Sequence, residues 1–594
     1  MMKTIIKTKN TVMVFISMGI LLFSGCDNWS EDINVDTSRP IFDENIDPNL
    51  FLLPTMDYLF SRTGGGFSEN SWDVMMPTVQ YNAKTRSLSQ PHRHRSWHDF
   101  GGNVWQTGYS VLNGIKNVRR AALATNDTRY EAVADIWESY IMYIITLMYG
   151  DIPYFAAVGD ELVTQVEYDS QADIFPALMD KLKNASDLIG NQTDPINSNT
   201  DVIFLGDIQK WRKFANVLRF KAAMHFHNSD PVLTESIMKE IVDNPSKYPM
   251  FESNNDNANF HFDGSQRISP WYLNSIANED NLPMSNVFVE RLLSIADPRI
   301  YQFAKPVQKV HSDPNMYVLP TNKGVDKYLG HLSGITTSNG DAATWNGGVE
   351  YCSRQTSDWF RPVDENFVPL DGAKTTPWYI SHYPEVTLLK AEAALKGWIS
   401  SDPKALYEEG IRASLEMFQA TFTDARYDRA YAEDALNDIN EYLAQQQVSW
   451  TGGRDQMLLI SEQRWIACYQ LIIEPYFDHR RTMLPPIVSS NNATAFEATG
   501  SGTRFPARAD YPESERQKNT EGVTKALSEG FDIEITGEEN RTEARMYIIN
   551  NPLSPSLQMP IFQEPFNGNG EYPGGNNFKT WFDQHWKTML WWEN

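Results

Sequence analysis

The sequence predicts an all-α protein interrupted by long irregular loops, and two observations carry that prediction. Apolar residues recur at helical spacing in segment after segment, as in amphipathic or buried helices. Between these segments lie stretches rich in Asn, Gly, Asp, Pro and Ser, where only a few short strands are expected. The 594 residues, of which 41% are hydrophobic, suffice for one large core or two coupled ones.

The helical pattern is clearest in the stretch 137–225. In the run IWESYIMYIITLMYG, apolar side chains cover most of the helix circumference, so this helix should be buried nearly all round. Asp207 is a suitable N-cap for a later helix whose apolar stripe starts at Trp211. Three basic residues of that later helix lie off the stripe and are expected to be hydrated: Arg212, Lys213 and Lys221.

Helices are predicted along much of the remaining chain. They are expected at 50–60, 103–124, 128–149, 173–190, 232–243, 285–296, 384–397, 403–420, 427–447 and 455–474. Helical periodicity is weak over most of 231–376, and the residues after 486 are irregular as well. Long loops inside a compact protein are usually functional or disordered, so the middle segment is a candidate location for a site.

The chain begins like a lipoprotein precursor. The apolar run 12–23 follows three lysines; it is short for a membrane span and suits the core of a signal peptide. It leads into LFSGC, where small residues before a cysteine predict cleavage and lipidation at Cys26. An ordinary signal peptide with an incidental cysteine is the alternative. We therefore assign 1–25 to a lipoprotein signal peptide and 26–50 to an acidic tether that begins CDNWSED.

Charge and cysteine content limit the range of partners. The formal net charge of −25 should repel phosphate backbones, so no nucleic-acid partner is expected. The chain has 3 cysteines, and none of them has the spacing of a zinc site. Cys468 lies in a helical apolar pattern and is expected to be a core thiol, whereas Cys352 lies in a loop and could be free. A disulfide bond between these two residues is left open.

No motif of a known catalytic class is present. The sequence lacks H-E-x-x-H, G-x-x-x-x-G-K-[ST], G-x-S-x-G and a dinucleotide fingerprint. A glycosidase needs two catalytic carboxylates about 5–10 Å apart. The many acidic side chains are explained as solvated surface residues, and no catalytic pair is needed to account for them. In HRHRSWH (92–98) arginines alternate with the histidines, and their charge would oppose a metal ion. We therefore predict no enzyme activity, no catalytic residue, no metal ligands and no cofactor; a structural calcium is left open.

Tryptophan placement favours ligand binding instead. Five tryptophans fall on helical patterns and are expected in the core: Trp105, Trp137, Trp211, Trp398 and Trp465. Four others lie among small and polar residues: Trp72, Trp97, Trp345 and Trp359. Aromatic faces stack on the apolar faces of sugar rings, and nearby polar side chains bond to the hydroxyls. The candidate ligand-binding residues are therefore these last four tryptophans, Arg95, Tyr351 and Arg354.

Six segments of the sequence also resemble segments of one known protein family. They are YGDIPYFAA, DIFPALMDKLKNA, KWRKFANVLRFKAAMH, HYPEVTLLKAEAALKG (382–397), ISEQRWIACYQLIIEPYFDHRRTMLP (460–485) and RFPARADYPESERQKN (504–519). In this order they resemble the SusD/RagB family, the glycan-binding outer-membrane lipoproteins of Bacteroidetes. The motifs themselves indicate structural roles: Glu392 and the pair Arg480–Arg481, near Glu474 and Asp478, could form ion pairs between helices.

The resemblance implies both an architecture and a function. The architecture is a tetratricopeptide-like scaffold of helix pairs (51–230 and 377–480) with a loop-rich ligand-binding part (231–376 and 486–594), in a single domain 51–594. The function is non-catalytic: a lipid-anchored, surface-exposed outer-membrane protein binds an oligo- or polysaccharide and delivers it to a SusC-like TonB-dependent transporter. A peptide ligand is the alternative, and a glycoside hydrolase a more distant one. No ligand residue carries over, because the loops follow no family motif.

Overall fold

Helices dominate the computed structural model, which describes residues 47–60, 67, 74–85, 98–159, 165–273, 282–310, 326–331, 333, 348–355, 374–469, 471, 473–486, 489–490, 508–533 and 561–562. The helices are α1 (Asn49–Phe60), α2 (Met76–Thr78), α3 (His98–Thr125), α4 (Thr128–Tyr149), α5 (Phe155–Val158), α6 (Gln171–Ile189), α7 (Ile208–Phe226), α8 (Pro231–Asp243), α9 (Asn286–Ser294), α10 (Ile300–Phe303), α11 (Tyr383–Leu395), α12 (Pro403–Met417), α13 (Ala425–Tyr431), α14 (Ile439–Ala444), α15 (Gln456–Ala467), α16 (Glu474–Thr482), α17 (Glu513–Lys518) and α18 (Thr520–Glu529). Strand β1 (Ala258–Phe260) pairs antiparallel with β2 (Trp378–Ser381), and β3 (Ser489–Ser490) pairs parallel with β4 (Ile561–Phe562). The predicted all-α class with a few short strands is confirmed.

Successive helices pack against one another, which gives the fold its helix-pair character. Helices α1, α3, α4, α6, α7 and α8 each contact the next in this order. A second group forms from α11, α12 and α15, and α7 joins the two groups through α11 and α16. Residues Asp47–Asn594 form one unit, whereas Met1–Ile46 lies outside the described residues.

Helix α4 is buried on every side over most of its length, as its sequence predicts. Every residue from 136 to 149 is buried. The indole of Trp137 meets that of Trp211 on α7 edge to face, with ring centroids 6.4 Å apart. Asp127 caps the start of α4 through its side chain, and Gly150 ends the helix at a φ of 93° that other residues rarely adopt.

A buried ionic network joins α7 to α11 and α16, and it shows that the expected hydration of Lys221 is wrong. The Lys221 ammonium is fully buried and lies 2.8 Å from a carboxylate oxygen of Glu385 and 2.8 Å from one of Glu474. Burial alone would lower the pKa of Lys221, but these two carboxylates raise it above its usual value. The stripe of α7 could not reveal the pairing, because both partners come from helices much later in the chain.

The two other basic residues that lie off the stripe of α7 differ from each other in burial. Arg212 is also buried, so its expected hydration is wrong too, and its guanidinium donates to the carbonyl of Lys247 at 2.7 Å. The Lys213 side chain remains 18% exposed and pairs with Glu252 at 2.6 Å. Two of the three basic side chains off the apolar stripe, those of Arg212 and Lys221, are therefore buried against acceptors from other parts of the fold.

The predicted ion pair between α11 and α16 is confirmed. Arg481 lies 2.7 Å from Glu392 and 2.8 Å from Asp478. Arg480 instead donates to the carbonyl of Leu147 on α4 at 2.7 Å. The two adjacent arginines thus fix α16 to two different helices.

Two predicted helices are shorter than expected. The stretch 427–447 forms α13 and α14, which Asp424 and Asp438 cap. The stretch 455–474 ends as a helix at Ala467, and α16 then begins with Pro475 in its first turn. Both new helices have suitable first turns, because an aspartate can accept the N–H groups of a first turn and a proline there lacks only an N–H that would have no partner.

The chain after 486 contains two helices that the sequence analysis did not predict, α17 and α18. They dock on the segment that precedes α6. The side-chain amide of Asn519 donates to the Val166 carbonyl at 2.9 Å and accepts from the Val166 N–H at 2.8 Å. Gly522 is close enough that a Cβ there would lie 2.0 Å from the Val166 oxygen. A glycine is therefore required for this contact.

Cys352 and Cys468 are buried free thiols, so they do not form a disulfide bond with each other. Burial raises the pKa of both thiols, which leaves them protonated and unreactive. Within the described ranges, no helix has the length and apolarity that a membrane crossing requires.

Candidate functional site

The structure describes two of the predicted ligand residues, Tyr351 and Arg354. The remaining ones lie outside the described residues, as does the predicted lipidation site Cys26: Trp72, Arg95, Trp97, Trp345 and Trp359. Those seven assignments as ligand residues therefore stay predictions. What the structure does show is how the loops that carry them are connected.

The tryptophans predicted for the core are buried with one exception. Four of them are at most 6% exposed: Trp105, Trp137, Trp211 and Trp465. Trp398 follows α11 on the surface, where it is partly exposed and stacks on the imidazole of His227 with ring centroids 3.7 Å apart. Its helical spacing from α11 had suggested a core position, but the helix already ends at Leu395.

Tyr351 presents a partly exposed ring beside charged groups. It ends the 3₁₀ helix Val349–Tyr351, and the Lys309 ammonium lies 5.9 Å from its ring centroid. Lys309 also pairs with Glu350 at 2.7 Å, and its backbone N–H donates to the Glu350 carbonyl at 3.0 Å. An aromatic ring and hydrogen-bonding groups thus lie together at the surface of the middle segment.

Arg354 lies in an extended segment that pairs on two sides. Its carbonyl accepts the Lys305 N–H at 3.0 Å. The carbonyl of the preceding residue, Ser353, accepts the Met284 N–H at 2.9 Å, and the N–H of Ser353 donates to the Leu329 carbonyl. These pairs draw four pieces of the middle segment together: 282–286, 304–309, 326–331 and 348–355.

The segment between α1 and α3, which contains Trp72 and Trp97 and which we call the first loop, joins this arrangement through residues 81–84. The Ser285 N–H donates to the Tyr81 carbonyl at 2.9 Å, and the Ala83 N–H donates to the Pro283 carbonyl at 2.9 Å. We call residues 81–84 together with these four pieces the loop junction. The structure therefore places described parts of both predicted binding loops in direct contact.

Asn82 is the centre of that contact and was not identified from the sequence. Its side chain is fully buried, and its Nδ2 donates to the Leu282 carbonyl at 2.9 Å and to Gln355 Oε1 at 3.3 Å. No motif surrounds Asn82 in VQYNAKTR. Only its partners, distant in the sequence, reveal its position.

The helical scaffold contacts the loop junction through Trp465 of α15, which packs against Tyr81. The Tyr81 hydroxyl donates to the Trp465 carbonyl of α15, and the Trp465 indole N–H donates to the Val79 carbonyl at 3.0 Å. The two rings stack with centroids 5.5 Å apart. Burial is the main reason that the pKa of Tyr81 lies well above its usual value, so the hydroxyl stays a donor.

The middle segment is fixed to the scaffold in the same way. On α9, the buried guanidinium of Arg291 pairs with Glu462 of α15. Just before α10, Arg299 donates to Gln463 Oε1 at 2.8 Å and pairs with Asp297. The junction is thus built on rigid elements, which is what a preformed binding site requires.

The described carboxylates of the junction suit hydrogen bonding better than acid catalysis. Glu350 pairs with Lys309, and Asp326 accepts from Arg429 at 2.7 Å. The hydrogen bond from Lys309 lowers the pKa of Glu350, whereas a general acid near neutral pH needs a raised one. Within the described ranges, no group of three or more His, Cys, Asp or Glu side chains could hold a metal ion.

Comparison with known families agrees with this picture. Residues 44–512 match a SusD-like family model described as "Starch-binding associating with outer membrane". The match defines the class of protein: glycan-binding and associated with the outer membrane. The chain belongs to the SusD-like family. No curated protein matches the sequence.

Several solved structures share the fold over most of the chain. A chitin-binding protein is 23% identical with a TM-score of 0.66, and the match covers 85% of this chain and 100% of that chain. A SusD homologue from Bacteroides fragilis is 22% identical with a TM-score of 0.67 over the same shares. A chitin-binding SusD homologue from Flavobacterium johnsoniae is 18% identical with a TM-score of 0.65, covering 85% and 99%. At these identities the likeness establishes the fold alone.

Proposed function

We propose that this protein is a non-catalytic surface lipoprotein that binds a glycan at the loop junction. The observation that carries the proposal is the direct hydrogen bonding between the first loop and the middle segment. Trp97 follows residues 81–84 along the chain, and Trp345 and Trp359 flank the piece 348–355 on its two sides. Family membership supports a glycan as the ligand.

Sugar recognition matches the residue types of these loops. The axial C–H groups of a pyranose form an apolar face that stacks on an indole or a phenol ring, and stacking removes both surfaces from water. Arginine and amide side chains then fix the sugar by hydrogen bonds to its hydroxyls. Trp72, Trp97, Trp345, Trp359 and Tyr351 would supply the rings in this proposal, and Arg95 and Arg354 the donors.

Anchoring and delivery complete the proposal. Lipidation at Cys26 would attach the protein to the outer membrane, since each buried methylene of an acyl chain contributes about 0.8 kcal/mol. The acidic tract after Cys26 resembles the surface-export signal of Bacteroidetes lipoproteins. A SusC-like TonB-dependent transporter would then receive the bound glycan, as the family resemblance implies.

A glycan panel tests the function. The mature chain should be retarded in native gels that contain starch or soluble chitin, or should bind another member of a polysaccharide array. Because binding without turnover is expected, the oligosaccharide recovered after long incubation should be intact. Sustained product release that scales with protein and survives repurification would contradict the proposal. Failure on every glycan combined with capture of a peptide would establish the alternative ligand class.

A further inference from the structure

One buried side chain connects the two loops that the proposed function needs to act together. Asn82 is 0% exposed, and its Nδ2 is the donor to both the Leu282 carbonyl and Gln355 Oε1. Its backbone forms a bridge with Met284. A residue of the first loop is thus bonded to two pieces of the junction, 282–286 and 348–355.

The contact extends from Asn82 into the scaffold. Burial raises the pKa of the hydroxyl of Tyr469, just beyond α15, and the side chain of Gln355, which accepts from Asn82, partly offsets that rise. The same hydroxyl lies 3.4 Å from the sulfur of Met284, the bridge partner of Asn82. Described parts of the two loops and of the scaffold therefore meet around the Asn82 amide group, whose Nδ2 donates to Leu282 and to Gln355.

Without this amide group, the Leu282 carbonyl and Gln355 Oε1 would be buried acceptors that have lost a donor. A folded protein compensates for such a loss by moving the segments apart or by admitting water. The backbone pairs next to it are the ones that set the register of the loops: Ala83 to Pro283, Ser285 to Tyr81 and Met284 to Ser353. The buried Asn82 side chain stabilises the contact between the segments that form these pairs.

We propose that Asn82 is a positioning residue of the glycan site, because its amide group holds the first loop and the middle segment in one register. The inference rests on the proposed function, since it assumes that side chains from both loops contact the same ligand. A glycan that bridges the loops then binds only while the two remain in register. Asn82 itself is buried and touches no ligand.

The chain provides a matched control for this role in Asn216. Asn216 is also 0% exposed, and its Nδ2 donates to Ser186 Oγ at 3.0 Å and to the Pro249 carbonyl at 3.1 Å. Ser186 lies on α6 and Pro249 follows α8, and neither residue belongs to the loop junction. Asn216→Ala therefore removes a comparable buried amide without touching the junction.

The experiment compares Asn82→Ala with Asn216→Ala in the mature chain, well below both melting temperatures. Affinity for starch and for soluble chitin is measured by gel retardation. Asn82→Ala should raise the dissociation constant about tenfold or more, as expected when buried acceptors lose their donor. Asn216→Ala should bind like the parent. Asn82→Ser, which keeps one donor, should fall between them and remains usable if the alanine variant does not fold.

Hydrogen exchange supplies a readout that needs no glycan. Exchange of the Ala83, Met284 and Ser285 amides should accelerate in Asn82→Ala and not in Asn216→Ala, because these amides donate across the junction. Equal affinity loss in both variants, or unchanged exchange in Asn82→Ala, would overturn the positioning role. If the parent binds no member of the glycan panel while the exchange result holds, the glycan proposal fails and the register role of Asn82 stands.

Discussion

His382 illustrates how much a single buried side chain does in this fold. It precedes α11, and its Nδ1 accepts the N–H of Glu385 at 3.0 Å, which makes it the N-cap of that helix. Burial, reinforced by the charge of Lys221, lowers the pKa of His382 to about 3. The imidazole of the folded protein therefore stays neutral between about pH 3 and pH 6.5, where an unfolded histidine, with a pKa of 6.5, is charged.

That difference predicts a pH dependence of stability. Below pH 6.5 the unfolded chain binds a proton at His382 that the folded chain refuses, so the free energy of unfolding falls as the pH drops toward 3. One such group contributes a slope of up to about 1.4 kcal/mol per pH unit. His382→Asn keeps a capping acceptor and removes the titration.

Urea unfolding of parent and variant checks this expectation. Between pH 7 and pH 5 the parent should lose about 2 kcal/mol more than His382→Asn. Between pH 7 and pH 8 the two curves should run parallel, which serves as the internal control. Parallel curves over the whole range would show that His382 does not titrate differently in the two states.

Residue burial was predictable where one helix decides it and not where two helices meet. The burial of Trp137 and Trp211 followed from the apolar pattern of their own segments. The burial of Lys221 did not, because its acceptors lie on α11 and α16. Sequence periodicity reports the face of one element and contains no information about a distant partner.

At the scale of elements, the ionic network around Lys221 is a buried polar contact that joins α7 to α11 and α16. Removing the ammonium leaves Glu385 and Glu474 as two buried carboxylates that have lost their shared cation. Lys221→Met should therefore cost about 3–5 kcal/mol in the free energy of unfolding, as for other buried pairs that lose one partner.

Lys213→Met on the same helix is the matched control. Lys213 pairs with Glu252, whose side chain is 77% exposed, and with Asp256 at 2.9 Å, but its own side chain is 18% exposed. Because water reaches this ammonium, its removal should cost clearly less than the removal of the fully buried Lys221. Chemical denaturation of both variants at neutral pH measures the difference. Similar losses for the two lysines would mean that the buried network does not depend on its cation.

Element boundaries were less predictable than element existence. Most predicted helices are present, but 427–447 and 455–474 each contain a break. Asp438 and Pro475 mark those breaks, yet neither residue excludes a continuous helix in the sequence alone, because capping and chain direction depend on what the turn packs against. Helices α17 and α18 were missed because their stabilising contacts, such as that of Asn519 with Val166, join residues that are far apart in the sequence.

At the scale of the whole molecule, the helices pack in extended contacts, whereas the pieces that contain Tyr351 and Arg354 are joined by isolated backbone bridges. The composition of the sequence predicted which loops would carry the ligand-binding residues, and that assignment stays a prediction. The sequence could not indicate that these loops meet at Asn82, because pairs between segments some 200 residues apart leave no local pattern.

The most direct test of the account is calorimetric titration of single alanine variants at Trp72, Trp97, Trp345 and Trp359 with the glycan identified by the panel. Loss of a stacking indole should weaken binding about ten- to a hundredfold, equivalent to roughly 1–3 kcal/mol, at one position or more in each loop. Thermal melting should be unchanged, and Trp398→Ala, at a partly exposed tryptophan outside the junction, should bind like the parent. Four variants that all bind like the parent, or that lose binding only by unfolding, would contradict a glycan site built from these loops.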